Sequence, residues 1–151
     1  MRRDVQVRLE TNHSSGCTVA YVSGDLDFGN AHELVDEFFR LSGTAADRPT
    51  RVVLDFEEVG FLDSSGIGAV VRLWKALREG GGDLGIAHPP RICWVMMTRT
   101  GLARYIAMGQ TVHGVASRLA PPRAPSRGSA HPRNGRTGPP GEHRPRASRA
   151  R

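Results

Sequence analysis

The chain has 151 residues, room for one domain with a real core, and its aromatics make up only 6% of residues, so that core has to be aliphatic. The formal net charge of +6 is unevenly placed: residues 1–120 carry 13 Lys/Arg against 14 Asp/Glu, whereas residues 121–151 carry eight Arg against the single Glu142. No run of about 18 apolar residues occurs, which excludes a membrane-spanning helix, and no apolar stretch follows Met1-Arg2-Arg3, so no secretory leader is expected.

In chain order, Val5, Val7 and Leu9 alternate with polar neighbours and predict a half-buried strand. Asn12 to Gly16 reads as a turn into a second strand from Cys17 to Ser23, so the pair predicts a hairpin. Asp25 to Gly29 is a loop. Asn30 has the chemistry of a helix N-cap, with Glu33 as its capping-box partner. Ala31, Leu34, Val35 and Phe38 follow at helical spacing, and Gly43 stops that helix. Arg51 to Phe56 is an apolar, β-branched run suited to a strand covered on both faces. A short loop is then expected to deliver Asp63, Ser64 and Ser65 to the start of a helix running from about Ser65 to Glu79. Its apolar stripe is Ile67, Val70, Val71, Trp74 and Leu77, and the glycines 80–82 end it. Leu84 to Ala87 is a short strand. Pro89-Pro90 opens a third helix through Ile92, Val95 and Met96, stopped by Gly101, and the signal near Gln110 to Val115 is weak. The succession predicts an α/β fold with a mixed sheet of four to five strands, helices mainly on one face, and right-handed crossovers.

The last stretch differs in kind. Residues 121–151 hold seven of the ten prolines and no Leu, Ile, Val, Phe, Trp or Tyr. Such a composition cannot bury enough apolar surface to offset chain entropy, so a disordered tail is expected over 120–151, after a domain spanning 1–119. Its arginines suit weak, non-specific contact with nucleic acid, and the absence of aromatic rings argues against base-specific binding.

The informative segment is Asp55-Phe-Glu-Glu-Val-Gly-Phe-Leu-Asp-Ser-Ser-Gly-Ile-Gly68. It places Asp63, Ser64 and Ser65 at a helix N-terminus, where unpaired N–H groups and the macrodipole favour an anion such as a phosphate on Ser64 or Ser65. Gly66 leaves the first turn without a side chain, open to close approach by a partner. Equally, Asp63 or Ser64 serves as a plain N-cap, and Gly66 and Gly68 as packing glycines. No catalytic constellation accompanies the serines: the Gly-x-Ser-x-Gly elbow is missing, and so is a general base. His13, His32, His88 and His113 have no metal-type spacing, and Cys17 and Cys93 read as buried reduced thiols. No metal, cofactor or enzymatic activity is expected.

Residues 59–68 resemble the signature of STAS domains of the anti-sigma factor antagonist family, roughly V-x-F-[ILM]-D-S-[ST]-G-[IL]-G. Val22-Ser-Gly-Asp-Leu-Asp27 is similar to the family's V-x-G-[ED]-[LI]-D, and Thr100-Gly101-Leu102 to its [ST]-G-L. The resemblance covers about residues 4–113. It implies the STAS fold and a cytoplasmic regulatory protein. Ser64 would be the phosphoacceptor, with Ser65 as runner-up, and Asp27, Asp63, Ser64, Ser65, Gly66 and Ile67 would form the partner-binding region. The implied partners are an anti-sigma factor that is also a serine kinase, bound only by the unphosphorylated form, and a serine phosphatase. The second functional class is a STAS scaffold in another assembly, lipid-transport or stressosome-like. The family usually ends in a longer amphipathic helix. Here Val112 to Leu119 offers only a stub, which predicts an exposed apolar face or one filled by a partner.

Overall fold

The computed structural model describes residues 2–44 and 47–124. The elements are β1 (Gln6–Asn12), β2 (Cys17–Leu26), α1 (Ala31–Leu41), β3 (Arg51–Leu62), α2 (Ser64–Glu79), β4 (Asp83–Ala87), α3 (Arg91–Arg99), β5 (Ala107–Gly109) and α4 (Val112–Ala116), with a 3-10 turn at Leu102–Arg104. The strands form one sheet in the order β1-β2-β3-β4-β5. The β1–β2 hairpin is antiparallel, and every later pair is parallel. The expected mixed sheet is therefore present; β5 was not located in the sequence, and the weak signal near Gln110 to Val115 falls mostly on α4. Three residues suffice for β5 because β4 on its inner side supplies the ladder.

Alternation along the strands creates two cores. One face carries Ala20, Val22, Val52, Leu54, Phe56, Leu84 and Ile86 beneath Leu34 and Phe38 of α1, Val70 and Leu73 of α2, and Cys93 and Met97 of α3. The fully buried pair on α3 is Cys93 and Met97, with Met96 partly buried beside them, whereas Ile92 is 47% exposed. Burial pushes the Cys93 thiol up to about 12, which keeps it protonated and unreactive.

The opposite face carries Cys17, Val53 and Ala87, covered by Val115 and Ala116 of α4 and by Leu119. The stub is therefore sufficient, contrary to the expectation of an exposed apolar face. Arg51 fastens it. Its guanidinium donates to the carbonyls of Ala116 (2.8 Å) and Leu119 (3.4 Å) at the C-terminal end of α4, and to that of Ser15 (3.1 Å) in the hairpin turn. The chain stays docked past Leu119. Ala120 N–H donates to Asp83 Oδ2 (2.8 Å), and Arg123 N–H to the Gly81 carbonyl (2.8 Å). The docked chain thus runs beyond the expected boundary at 119. The remainder of the arginine-rich tail, residues 125–151, lies outside the described residues.

Candidate functional site

Two loops leave the sheet side by side, because β2 and β3 are parallel and pair at Leu26 and Leu62. The β2–α1 loop carries Asp27, and the β3–α2 junction carries Asp63, Ser64 and Ser65. β3 continues as a strand to Leu62, so no intervening loop precedes Asp63 as the sequence had suggested. Glu57 and Glu58 are exposed, but Glu58 still pairs with Ser23 of β2 and Glu57 lies at the register shift, so the polar stretch is strand and not the expected loop.

Asp63 is the N-cap of α2. Its Oδ1 accepts from Ser65 N–H (2.8 Å) and Gly66 N–H (3.3 Å), satisfying two of the helix's unpaired donors. Its Oδ2 accepts from Phe28 N–H (3.1 Å), and its own N–H donates to the Leu26 carbonyl (3.1 Å). One carboxylate thereby locks the two loops together. Ser64, the first residue of α2, is exposed and its hydroxyl makes no hydrogen bond among the described residues, whereas Ser65 is half-buried.

Asp27 organises the other loop. Its carboxylate accepts from Gly29 N–H (2.9 Å) and from the Arg2 guanidinium (3.1 Å), and its N–H donates to Asn30 Oδ1 (2.9 Å). That last bond explains why the Asn30–Glu33 capping box does not form. The Asn30 oxygen is turned back into the loop, and no side-chain cap bond is made to α1. Arg2 belongs to an N-terminal arm that crosses the end of β2. Asp25 N–H donates to the Arg3 carbonyl (3.1 Å), and Arg3 N–H to Asp25 Oδ2 (3.0 Å). Gly24 has φ +100, and a Cβ there would collide with the Asp4 carbonyl oxygen, so only glycine lets the arm lie down.

The structure brings Asp27, Asp63, Ser64 and Ser65 to one surface, with Gly66 and Ile67 buried beneath it. The open space expected at Gly66 is found instead at Gly68, where a Cβ would meet nothing within 4 Å. At Gly66 a Cβ would lie 3.0 Å from Leu26 Cβ, from the Leu26 carbonyl oxygen and from Leu62 Cγ. Gly66→Ala is accordingly expected to destabilise the domain by about 1–3 kcal/mol through overpacking. Gly68→Ala should be neutral or stabilise by up to about 1 kcal/mol through helix propensity. Urea unfolding of both variants measures the contrast, and equal effects would contradict the packing role.

Two residues of this surface were missed in the sequence. Phe28 is 89% exposed in the Asp27 loop and Phe61 is 53% exposed beside it, opposite Asp25 in the β2–β3 ladder. A phenylalanine between turn-forming residues, as in Asp-Phe-Gly-Asn, breaks the polar pattern of a loop and was the available signal. Among the described residues, no helix is long and apolar enough to cross a membrane.

Known proteins share this fold. The chain is 27% identical over 90 residues to the anti-sigma F factor antagonist of Paenibacillus polymyxa, an alignment that spans 57% of this chain and 74% of that protein. The crystal structure of an anti-sigma factor antagonist from Mycobacterium paratuberculosis superposes with a TM-score of 0.63 at 23% identity, over 76% of this chain and 92% of that one. The phosphorylated form of SpoIIAA, a cell fate determinant of Bacillus, gives 0.56 at 21% identity, over 75% of this chain and 98% of that one. The sequence model of the STAS domain matches residues 8–115, from within β1 to within α4, and the chain belongs to the STAS domain family.

Proposed function

We propose that this protein is an anti-sigma factor antagonist, a regulatory binding protein of the cytoplasm switched by phosphorylation of Ser64. In its unphosphorylated form it binds a kinase-type anti-sigma factor through the surface of Asp27, Phe28, Phe61, Asp63, Ser64 and Gly68, and so frees a sigma factor. A serine phosphatase resets it. The observation that carries the reading is Ser64 itself: an exposed, unbonded hydroxyl on the first residue of α2, held between two locked loops. The relative from Paenibacillus polymyxa, named an anti-sigma F factor antagonist, supports the assignment.

The chemistry follows from that position. The Ser64 oxygen attacks the γ-phosphorus of ATP held by the kinase, ADP leaves, and the hydroxyl proton passes to a base of the kinase. The product adds a charge of about −1.5 to −2 at neutral pH. The Asp63 carboxylate already occupies the Ser65, Gly66 and Phe28 N–H groups. The new phosphate therefore projects from the surface instead of refolding the helix end, and the switch acts by charge and bulk. Ser65, half-buried with its N–H in the cap, is the poorer acceptor.

The test is incubation with the co-encoded or co-purified kinase and ATP, with sites mapped by mass spectrometry. One phosphate on Ser64 is expected, and none in Ser64→Ala. Undiminished phosphorylation of Ser64→Ala would move the assignment to Ser65.

A further inference from the structure

The sheet face that carries α4 is only partly covered. Toward the C-terminal end of β2 its residues turn polar. Arg8 pairs with Tyr21, Tyr21 with Asp55, and Asp55 with Ala87, in one row across four strands. The β2–β3 register shifts between Tyr21 and Ser23, and such bulges recur beside functional sites. A cavity of about 420 Å³ opens there, lined among others by Arg8, Tyr21, Ser23, Asp55 and Glu57.

Asp55 and Glu57 line it, and with His88 they bring one donor atom each within 4.8 Å of the others. Asp55 is only 5% exposed. Its Oδ1 accepts from Glu57 N–H (2.9 Å) and faces His88 Nδ1 at 3.3 Å. Its Oδ2 has no hydrogen bond among the described residues, and no Lys or Arg pairs with it. This oxygen is not among the buried atoms left without a partner, so it stands open to solvent and to an ion. His88 is the one described non-glycine residue with positive φ, +51. Its N–H donates to the Gly109 carbonyl (2.9 Å), and Pro89-Pro90 follows, so the imidazole is held in place by a strained, rigid backbone.

We infer that Asp55, Glu57 and His88 form a binding site for a divalent metal ion of the zinc class, with solvent in the fourth position. Zinc bonds of about 2.0–2.1 Å in tetrahedral geometry set neighbouring donors about 3.3 Å apart. The Asp55 to His88 separation already has that value. Glu57 is exposed and its side chain is free to close on the ion. One imidazole nitrogen with carboxylate oxygens suits zinc better than calcium or magnesium, which take oxygen ligands alone. A bound ion would link the middle of β3 to the end of β4. No spacing rule reveals the group in the sequence, because its members come from two strands joined only by sheet pairing.

The test is calorimetric titration of the metal-stripped full-length protein with zinc chloride, together with the absorption spectrum of the cobalt(II) form. The chain has other histidines, so a His131→Ala, His143→Ala double variant serves as control. One saturable site is expected in the parent and in the control. Glu57→Gln and His88→Asn should each weaken it about tenfold or more and remove the four-coordinate cobalt band. Glu57 is exposed and asparagine tolerates positive φ, so both variants should fold, which circular dichroism checks. Absence of saturable binding in the parent overturns the inference. So does parental affinity in both variants, or loss of binding in the control.

Discussion

Ser64→Asp is expected to weaken binding to the kinase-type anti-sigma factor by about 30-fold or more while leaving the domain's stability within about 0.5 kcal/mol of the parent. The hydroxyl is exposed and unbonded, so the fold loses nothing with it, and an acidic residue in the first turn favours the helix dipole slightly. The proposed docking surface is already acidic at Asp27 and Asp63 and apolar at Phe28 and Phe61. A partner fitted to a neutral hydroxyl there would have to desolvate a carboxylate without a cation to meet it. Truncating or mismatching such a buried charge costs about 2–5 kcal/mol, which is the basis of the expected loss. Ser64→Ala should bind like the parent, which separates charge from shape. Calorimetry on both variants with the isolated partner, paired with urea unfolding, decides the matter. Parental affinity in Ser64→Asp would exclude a switch that works by charge at this position.

Shortening the chain should produce the largest change in stability. A chain ending at Gln110 loses Val115, Ala116 and Leu119, all buried against Cys17, Val53 and Ala87. Their burial contributes about 5 kcal/mol, comparable with the entire stability of many domains of this size. That chain is expected to be unfolded or aggregated. A chain ending at Leu119 keeps this core but loses the Ala120 bond to Asp83 and the Arg123 bond to Gly81, about 1–3 kcal/mol together. A chain ending at Ala124 should match the full-length protein, both in stability and in Ser64 phosphorylation. Urea unfolding followed by the fluorescence of Trp74 and Trp94 ranks the three. If the chain ending at Ala124 is as weak as the one ending at Leu119, residues 125–151 contribute to the fold.

Much of this protein was legible without coordinates. Strand alternation, helical spacing and glycine stops located most elements, because these patterns report local geometry and a residue's burial on its own element. The segment Asp63-Ser64-Ser65-Gly66 announced a capped helix start in the same way, since a cap is made between residues two or three apart. Local pattern failed where another bond or a distant group competed. Asn30 had the right chemistry for a capping box, yet its oxygen went to Asp27 N–H. Gly66 looked like an opening and is a packing site, because Leu26 from another strand lies against it. The brevity of α4 suggested an uncovered apolar face. Only the sheet shows that the apolar part is small enough for Val115, Ala116 and Leu119 to cover, and that the rest of that face is polar. The exposed phenylalanines, the Arg2 clasp on Asp27 and the grouping of Asp55 and Glu57 with His88 were likewise decided by tertiary structure. Each joins residues that chain order keeps apart, and parallel pairing of β2, β3 and β4 is what places them within bonding distance.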